Sequence, residues 1–345
     1  MKKDIKSMLL PEIETYFESV GEKKFRAQQV FSWLSRGVSD FSLMSDISLE
    51  LRDKLDSEFY ITIPTLIEKL TSVYDGTVKY LWCVEEGDMV ECVLMQYSHG
   101  NTICISTQVG CRMGCTFCAS SLDGFKRNLS ASEMLDQVLF TQKDSGNRIS
   151  NVVLMGIGEP LDNFENIIRF IEILMHPKGI NIGARHITIS TCGLTENIDK
   201  LAEYDVQLTL AISLHAPDDK TRSRLIPANQ KNNVSKLFEA AERYFNKTGR
   251  RVTYEYAMID GVNDSPEQAE LLSLLLKKSK SHLNLILLSS VQERGLKASP
   301  AENVNDFTAI LKKNDINYTM RRSLGADIEA SCGQLRRRIL QEMDF

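Results

Sequence analysis

The sequence predicts an α/β protein: a parallel sheet wholly or partly closed into a (β/α)6 barrel, preceded by a small helical domain. Three observations predict it. From Cys104 onward, six short apolar runs alternate with helical patterns. Residues 1–60 carry apolar side chains at helical spacing. The length, 345 residues, suits one large α/β domain with a small accessory domain.

The elements follow in order. In residues 1–60, KKFRAQQVFSWLSRG and SLELRDKLDSEF show the helical period. Residues 61–100 form a β-rich connector, in which TLIEKLTSV, TVKYLWCV and VECVLMQY read as strands and DGT marks a turn near Tyr74. Residues 101–345 form the barrel. Its strands are TICISTQV, NVVLMG, HITIST, VQLTLAIS, RVTYEYAMI and LNLILLSS. Between them SASEMLDQVLFTQK, NFENIIRFIEILM and NVSKLFEAAERYFNK read as helices. Another helix begins at SPEQAELLSLLLKK, with Ser265 as N-cap, Pro266 at the first helical position and Gln268 completing a capping box. A last strand, INYTMRR, leads to DIEASCGQLRRR.

Composition narrows the function. Apolar content of 43% and charged content of 25% are ordinary for a soluble globular protein. No apolar run approaches the roughly 20 residues of a membrane span. The start, MKKDIKSMLLPEIE, is charged and too short in apolar residues for a secretory signal. A cytoplasmic protein with no membrane partner is expected. There, eight cysteines point to metal binding or chemistry rather than a disulfide framework. The net charge of −5 does not advertise a nucleic-acid binder, yet local basic patches work on acidic proteins.

CISTQVGCRMGCTFC holds four of those cysteines, the last three spaced C-x-x-x-C-x-x-C at Cys111, Cys115 and Cys118. A closed zinc site needs four ligands, usually from paired CxxC units, and no second CxxC exists. A thioredoxin-type pair leaves Cys111 without a role. A [4Fe–4S] cluster fits better: three thiolates hold three irons, and the fourth iron stays open. The motif follows a predicted strand, at the end where α/β barrels place their chemistry.

This motif resembles that of the radical S-adenosylmethionine (SAM) superfamily, whose open iron binds SAM and whose reductive cleavage of it yields a 5′-deoxyadenosyl radical. MGIGEP, from Met155 to Pro160, is not G-x-G-x-x-G, because Leu161 stands at the last position. It is similar to the superfamily's glycine-rich motif. The resemblance makes Gly158 and Glu159 SAM contacts, with Glu159 available to accept from the SAM ammonium. Ser190 ends the third strand; Ser213, Leu214 and His215 end the fourth; all lie where barrel loops meet a ligand.

MVECVLM, CISTQVGC, MGIGEPLDN and DIEASCGQL together resemble the RlmN/Cfr family of RNA adenosine methyltransferases, over nearly the whole chain. The resemblance implies methylation at C2 of an adenosine in 23S rRNA and in tRNA. Two SAM molecules are used per turnover, and a flavodoxin- or ferredoxin-type protein donates electrons to a monomeric enzyme. It makes Cys332 the cysteine that carries the methyl group, and Cys104 the thiol that releases product through a transient disulfide. Glu91 matches the residue that removes the ring proton. GEPL looks more like the C2 branch than the C8 branch, which is the alternative. A radical SAM activase of a partner protein would need neither Cys104 nor Cys332. The family's N-L-I-P-x-N-P is NLILLSS here, so Leu287 replaces a proline and Ser289 an asparagine that contacts SAM. Candidate RNA contacts are Lys23, Lys24, Arg26, Lys126, Arg127, Arg336, Arg337 and Arg338. Cys83, Cys92 and Cys192 read as small core residues.

Overall fold

The computed structural model describes residues 2–98, 100–204, 206–289, 291–328, 330 and 334–343. Helices α1 (Leu10–Ser19), α2 (Lys24–Leu34) and α3 (Leu49–Glu58) make up the N-terminal part. They sit between two short strands that pair in parallel, β1 (Lys3–Asp4) and β2 (Phe59–Tyr60). Their apolar faces join one core continuous with the sheet and its helices, from Ile13 and Phe17 through Val30 and Phe31 to Met134 and Phe170.

Among the described residues the main sheet has ten strands. An antiparallel meander comes first: β3 (Thr65–Thr71), β4 (Val78–Cys83), β5 (Met89–Tyr97) and β6 (Gly100–Cys104). TICISTQV is not one strand. After β6 the chain leaves the sheet and runs beside the MGIGEP loop: Gly156 N donates to Ile105 O at 3.0 Å, and Thr107 N to Ile157 O at 2.8 Å. It then forms β7 (Gln108–Gly110), which pairs in a separate ribbon with β8 (Phe125–Asn128).

From β6 the main sheet continues in parallel through β9 (Ile149–Leu154), β10 (Ile187–Thr191), β11 (Thr209–Ser213), β12 (Val252–Met258), β13 (Ser281–Leu287) and β14 (Tyr318–Met320). β3 and β14 remain as edges, so the barrel is partial. The sheet curves enough that Arg321, past β14, brings Nη1 within 3.8 Å of Met155 Sδ, past β9.

The helices that cover this sheet are α4 (Ala131–Ser145), α5 (Phe164–Met175), α6 (Thr195–Glu203), α7 (Asp219–Leu225), α8 (Val234–Thr248), α9 (Pro266–Lys277) and α10 (Ala301–Lys313). A last helix, α11 (Gln334–Met343), lies near β5. Ser130 and Glu133 close a capping box on α4. On α9 the Ser265 side chain accepts from Gln268 N at 3.4 Å, but the expected return bond is absent; Gln268 Nε2 donates instead to Asp218 Oδ2 at 2.7 Å. Among the described residues no helix is long and apolar enough to cross a membrane.

Candidate active site

The cysteine loop is held at both ends. Cys111 N donates to Gly124 O at 2.9 Å, and Arg294 Nη2 donates to Cys118 O at 3.0 Å and to Ser121 Oγ at 2.7 Å. Gly110 starts the loop with φ +76°, and a Cβ there would lie 1.9 Å from Gly124 O, so no other residue fits. The three thiols are half-buried. Burial pushes Cys111 up to about 12 and raises Cys115 also, and the neighbouring cysteines add to both shifts.

Among the described residues no three His, Cys, Asp or Glu side chains gather around a single-ion position. A cluster that takes one thiolate per iron does not require them to. Soft sulfur donors suit iron, whose positive charge favours the thiolate form that burial opposes. Two hydroxyls here, Ser120 Oγ in the loop and Thr107 Oγ1 beside Gly158, are buried without a hydrogen-bond partner. A bound group would satisfy such atoms.

The strand ends beside the loop are tied together by a cation that the sequence did not reveal. Arg222 is fully buried and donates from Nη2 to Cys192 O (2.6 Å) and Ser213 O (3.0 Å), and from Nε to Leu214 O (3.0 Å). Leu214 is wholly buried, and Ser190 and Ser213 are half-buried. His215 adopts a left-handed backbone, φ 55°, and packs edge-on against Phe117 of the cysteine loop at 4.8 Å. Its Nδ1 accepts from Ala257 N at 2.9 Å, which puts the ring proton on Nε2. Burial, then the Arg222 charge, lowers His215 to about 3, so the ring is neutral at physiological pH.

Glu159 is engaged within the chain: Oε2 accepts from Cys192 N at 2.8 Å and Oε1 from Leu161 N at 3.2 Å, so it pins two strand-end turns together. Gly158, at φ +112°, makes its close approach to the protein itself; a Cβ would lie 2.7 Å from Gln108 Cβ. Cys192 does lie in a small apolar cluster, with Leu225, Ile226 and Ile259, but that cluster also contacts Met113, Cys115 and Phe117 and so forms the floor of the cysteine loop.

Glu91, Cys104 and a third residue share one face of the sheet. The register pairs Lys79 with Val93 and Leu81 with Glu91, and Val93 with Cys104. Residues directly opposite, and residues two apart on one strand, lie on the same face, so Lys79, Glu91 and Cys104 project together. Lys79 Nζ lies 3.2 Å from Glu91 Oε2, with 0% and 2% of the two side chains exposed. Glu91 Oε1 accepts from Arg336 N at 2.6 Å, in the first turn of α11. Cys332 lies outside the described residues, two positions before that helix begins.

A cavity of about 770 Å³ opens beside the loop, between Ala119, the end of β13, residues 321–326 and α11. Leu287 and Ser289 line it; the other expected SAM contacts, Gly158, Glu159, Ser190, Ser213, Leu214 and His215, are not among its described walls. Glu255, also missed in the sequence, is buried inside the barrel, accepts from Asn284 Nδ2 at 2.9 Å and lies 3.5 Å from Arg321 Nη1.

Most of the expected RNA-contacting cations have acidic partners within the chain. Arg127 is bound by Asp88 and Glu133, Arg336 and Arg337 by Asp123, Arg338 by Glu68, and Lys24 by Glu18. Charge alone in the sequence did not reveal these partners, which come from other segments.

A family model for the radical SAM superfamily matches residues 105–272, and one for the ribosomal RNA large subunit methyltransferase N-terminal domain matches residues 3–61. The chain is 50% identical over 340 residues to a protein of Alkaliphilus oremlandii named "Probable dual-specificity RNA methyltransferase RlmN", with 99% of each chain covered. It is 49% identical over 337 residues to a protein of the same name from Lachnoclostridium phytofermentans, covering 97% of this chain and 95% of that one. The crystal structure of a radical SAM methyltransferase from Sphaerobacter thermophilus superposes with a TM-score of 0.91 at 40% identity, covering 96% of this chain and 98% of that chain. The partial barrel, the three-cysteine loop and these matches agree: the chain belongs to the RlmN family of radical SAM RNA methyltransferases and uses a [4Fe–4S] cluster and SAM.

Proposed function

We propose that the chain methylates C2 of a specific adenosine in 23S rRNA and in tRNA, through a methyl group carried on Cys332. The observation that carries this reading is Glu91: a buried carboxylate on the same face as Cys104, bonded to the helix that follows Cys332. When bound at Cys111, Cys115 and Cys118, the cluster and SAM supply the radical, and a second SAM supplies the methyl group.

The chain's own residues do the rest. The target carbon of adenine is electron-poor and is no nucleophile, so the methyl group must first reside on a thiolate, and Cys332 takes that part. Once one hydrogen has been removed from the Cys332 S-methyl group, its methylene carbon bonds to C2 of the ring; Glu91 accepts the proton that C2 loses, and the unpaired electron left on the ring would return to the bound cluster. Cys104 then attacks the Cys332 sulfur. The carbon–sulfur bond breaks, a disulfide forms, and the released methylene takes a proton to become the methyl group. The target base must leave its stack to reach this site, so an adenosine in a single strand or loop is the expected substrate. The related names, dual-specificity RNA methyltransferases, support both RNA classes. The enzyme acts as a cytoplasmic monomer with a flavodoxin- or ferredoxin-type donor. The domain division at residues 60 and 100 belongs to the same proposal.

Anaerobic reconstitution, incubation with ribosomal and transfer RNA, and nucleoside mass spectrometry test it. 2-Methyladenosine in both RNAs is expected. 8-Methyladenosine, or no methylated RNA, overturns it.

A further inference from the structure

We infer that Lys79 is a positioning residue that fixes the Glu91 carboxylate in place as the acceptor of the substrate proton; this rests on the proton-acceptor reading of Glu91. Two groups hold the carboxylate oxygens of Glu91. One is the Lys79 ammonium on β4, 3.2 Å from Oε2. The other is the Arg336 N–H at the start of α11, 2.6 Å from Oε1, with the positive end of a helix behind it. The Arg336 side chain points elsewhere, to Asp123 at 3.5 Å. Among the described residues, Cys92 stands beside Glu91 on β5, and Ser106 Oγ donates to the Glu91 carbonyl at 2.6 Å.

The geometry explains why the residue is a lysine on this strand. Lys79 stands opposite Val93, two residue pairs along from the Leu81–Glu91 pair, and the diagonal is within reach of a long side chain. Its strand neighbours separate cleanly by face. Tyr80 and Trp82 stack on each other, and Trp82 meets Phe140 of α4 on one face. Leu81 packs with Leu335 of α11 on the other, which is the Lys79 face. An apolar side chain would fit such surroundings, and a buried ion pair adds little stability over a well-packed apolar pair. A lysine held there at 0% exposure is therefore better explained by what it does to Glu91.

The test uses reconstituted full-length holoenzyme with RNA substrate and five proteins: wild type, Lys79→Met, Lys79→Arg, Glu91→Gln and the Lys79→Met/Glu91→Gln double variant. Lys79→Met should lower kcat about 10²-fold, the scale of a general-base contribution, with KM for RNA within about twofold. Cys332 should still be methylated in it, as read by peptide mass spectrometry, because that step does not use Glu91. Lys79→Arg should recover part of the lost rate. In the Glu91→Gln background, Lys79→Met should cost nothing further. An equal loss in both backgrounds, or a Lys79→Met enzyme at the wild-type rate, overturns the role of Lys79 alone. Glu91→Gln at the wild-type rate overturns the proton-acceptor reading itself. Should Lys79→Met not fold, Lys79→Gln replaces it with the same expectations, and if neither folds Lys79 is structural and the inference falls.

Discussion

Two lysine–carboxylate pairs are buried among the described residues, and they differ in what surrounds them. Lys6 and Asp136 lie 2.5 Å apart with 1% and 3% of their side chains exposed, and Lys79 and Glu91 lie 3.2 Å apart with 0% and 2% exposed. The first pair is locked by a third residue: Lys6 Nζ also donates to Thr62 O, and Thr62 Oγ1 donates to Asp136 Oδ2 at 2.6 Å. It joins the N-terminal segment and the residues after β2 to α4. The second pair joins a sheet face shared with Cys104 to the helix after Cys332. Burial and charge do not separate a structural pair from a chemical one; what lies on the same face does.

The sharpest way to break this contrast is to remove one charge from each pair. Glu91→Gln should lower turnover per folded molecule by about 10²–10⁴-fold, the range of general acid–base catalysis, while the loss of the buried Lys79 partner also costs about 3–5 kcal/mol of stability. Steady-state methylation on the folded, reconstituted variant checks it. A large fall in melting temperature with normal turnover would put Glu91 in the same class as Asp136. Next in size is Lys6→Met, which leaves Asp136 buried without its cation. It should destabilise the fold by about 3–5 kcal/mol, measured by denaturant unfolding, with kcat per folded molecule intact. A kcat that falls in the folded fraction would erase the distinction.

Titration sharpens the comparison further. Burial raises the Asp136 carboxyl from 3.8 to about 6, with Lys6 and Thr62 pulling back the other way. The folded state therefore holds a proton on Asp136, over the window between those values, that the unfolded chain has released. Its contribution to stability is full below the unfolded value and is lost as pH rises through about 6. Melting temperatures of wild type minus Asp136→Asn should fall between pH 4.5 and about 6.5 and level off above. A flat difference across that range contradicts the assignment.

Much of this was legible in the sequence, and the missing parts share a cause. The strand order was readable because apolar runs alternate with helical patterns, and the cysteine spacing marked the loop at the end of a strand. Lys79 and Glu255 each left one signal, a charge inside an apolar strand, but TVKYLWCV and RVTYEYAMI do not say which face is covered. The burial of β4 on both faces comes from α4 and α11, distant in sequence. Arg222 left no signal, because DKTRSRL reads as a solvated helix, and its partners come from two other strand ends. The two backbone N–H groups that Glu159 accepts from are likewise invisible in a motif.

The smallest expected effect comes from a third lysine pair, at the surface. Lys126 lies 2.6 Å from Asp88, with 58% of the lysine side chain exposed. Asp88 keeps a second cation if Lys126 is removed, since Arg127 Nε lies 2.8 Å away on its other oxygen. Lys126→Ala should therefore change stability by less than about 1 kcal/mol, the usual worth of an exposed pair. Catalytic turnover at saturating RNA should not move. Of the two adjacent cations, Lys126 is the one whose charge can be shared with a phosphate, because Arg127 is also bound to Glu133. One lost phosphate contact lowers the slope of log affinity against log salt by about 0.7 for single-stranded RNA. RNA binding titrated at several salt concentrations reads that slope directly. An unchanged slope would make Lys126 a solvated surface charge, and a large loss of stability would mean that exposure does not rank these three lysines.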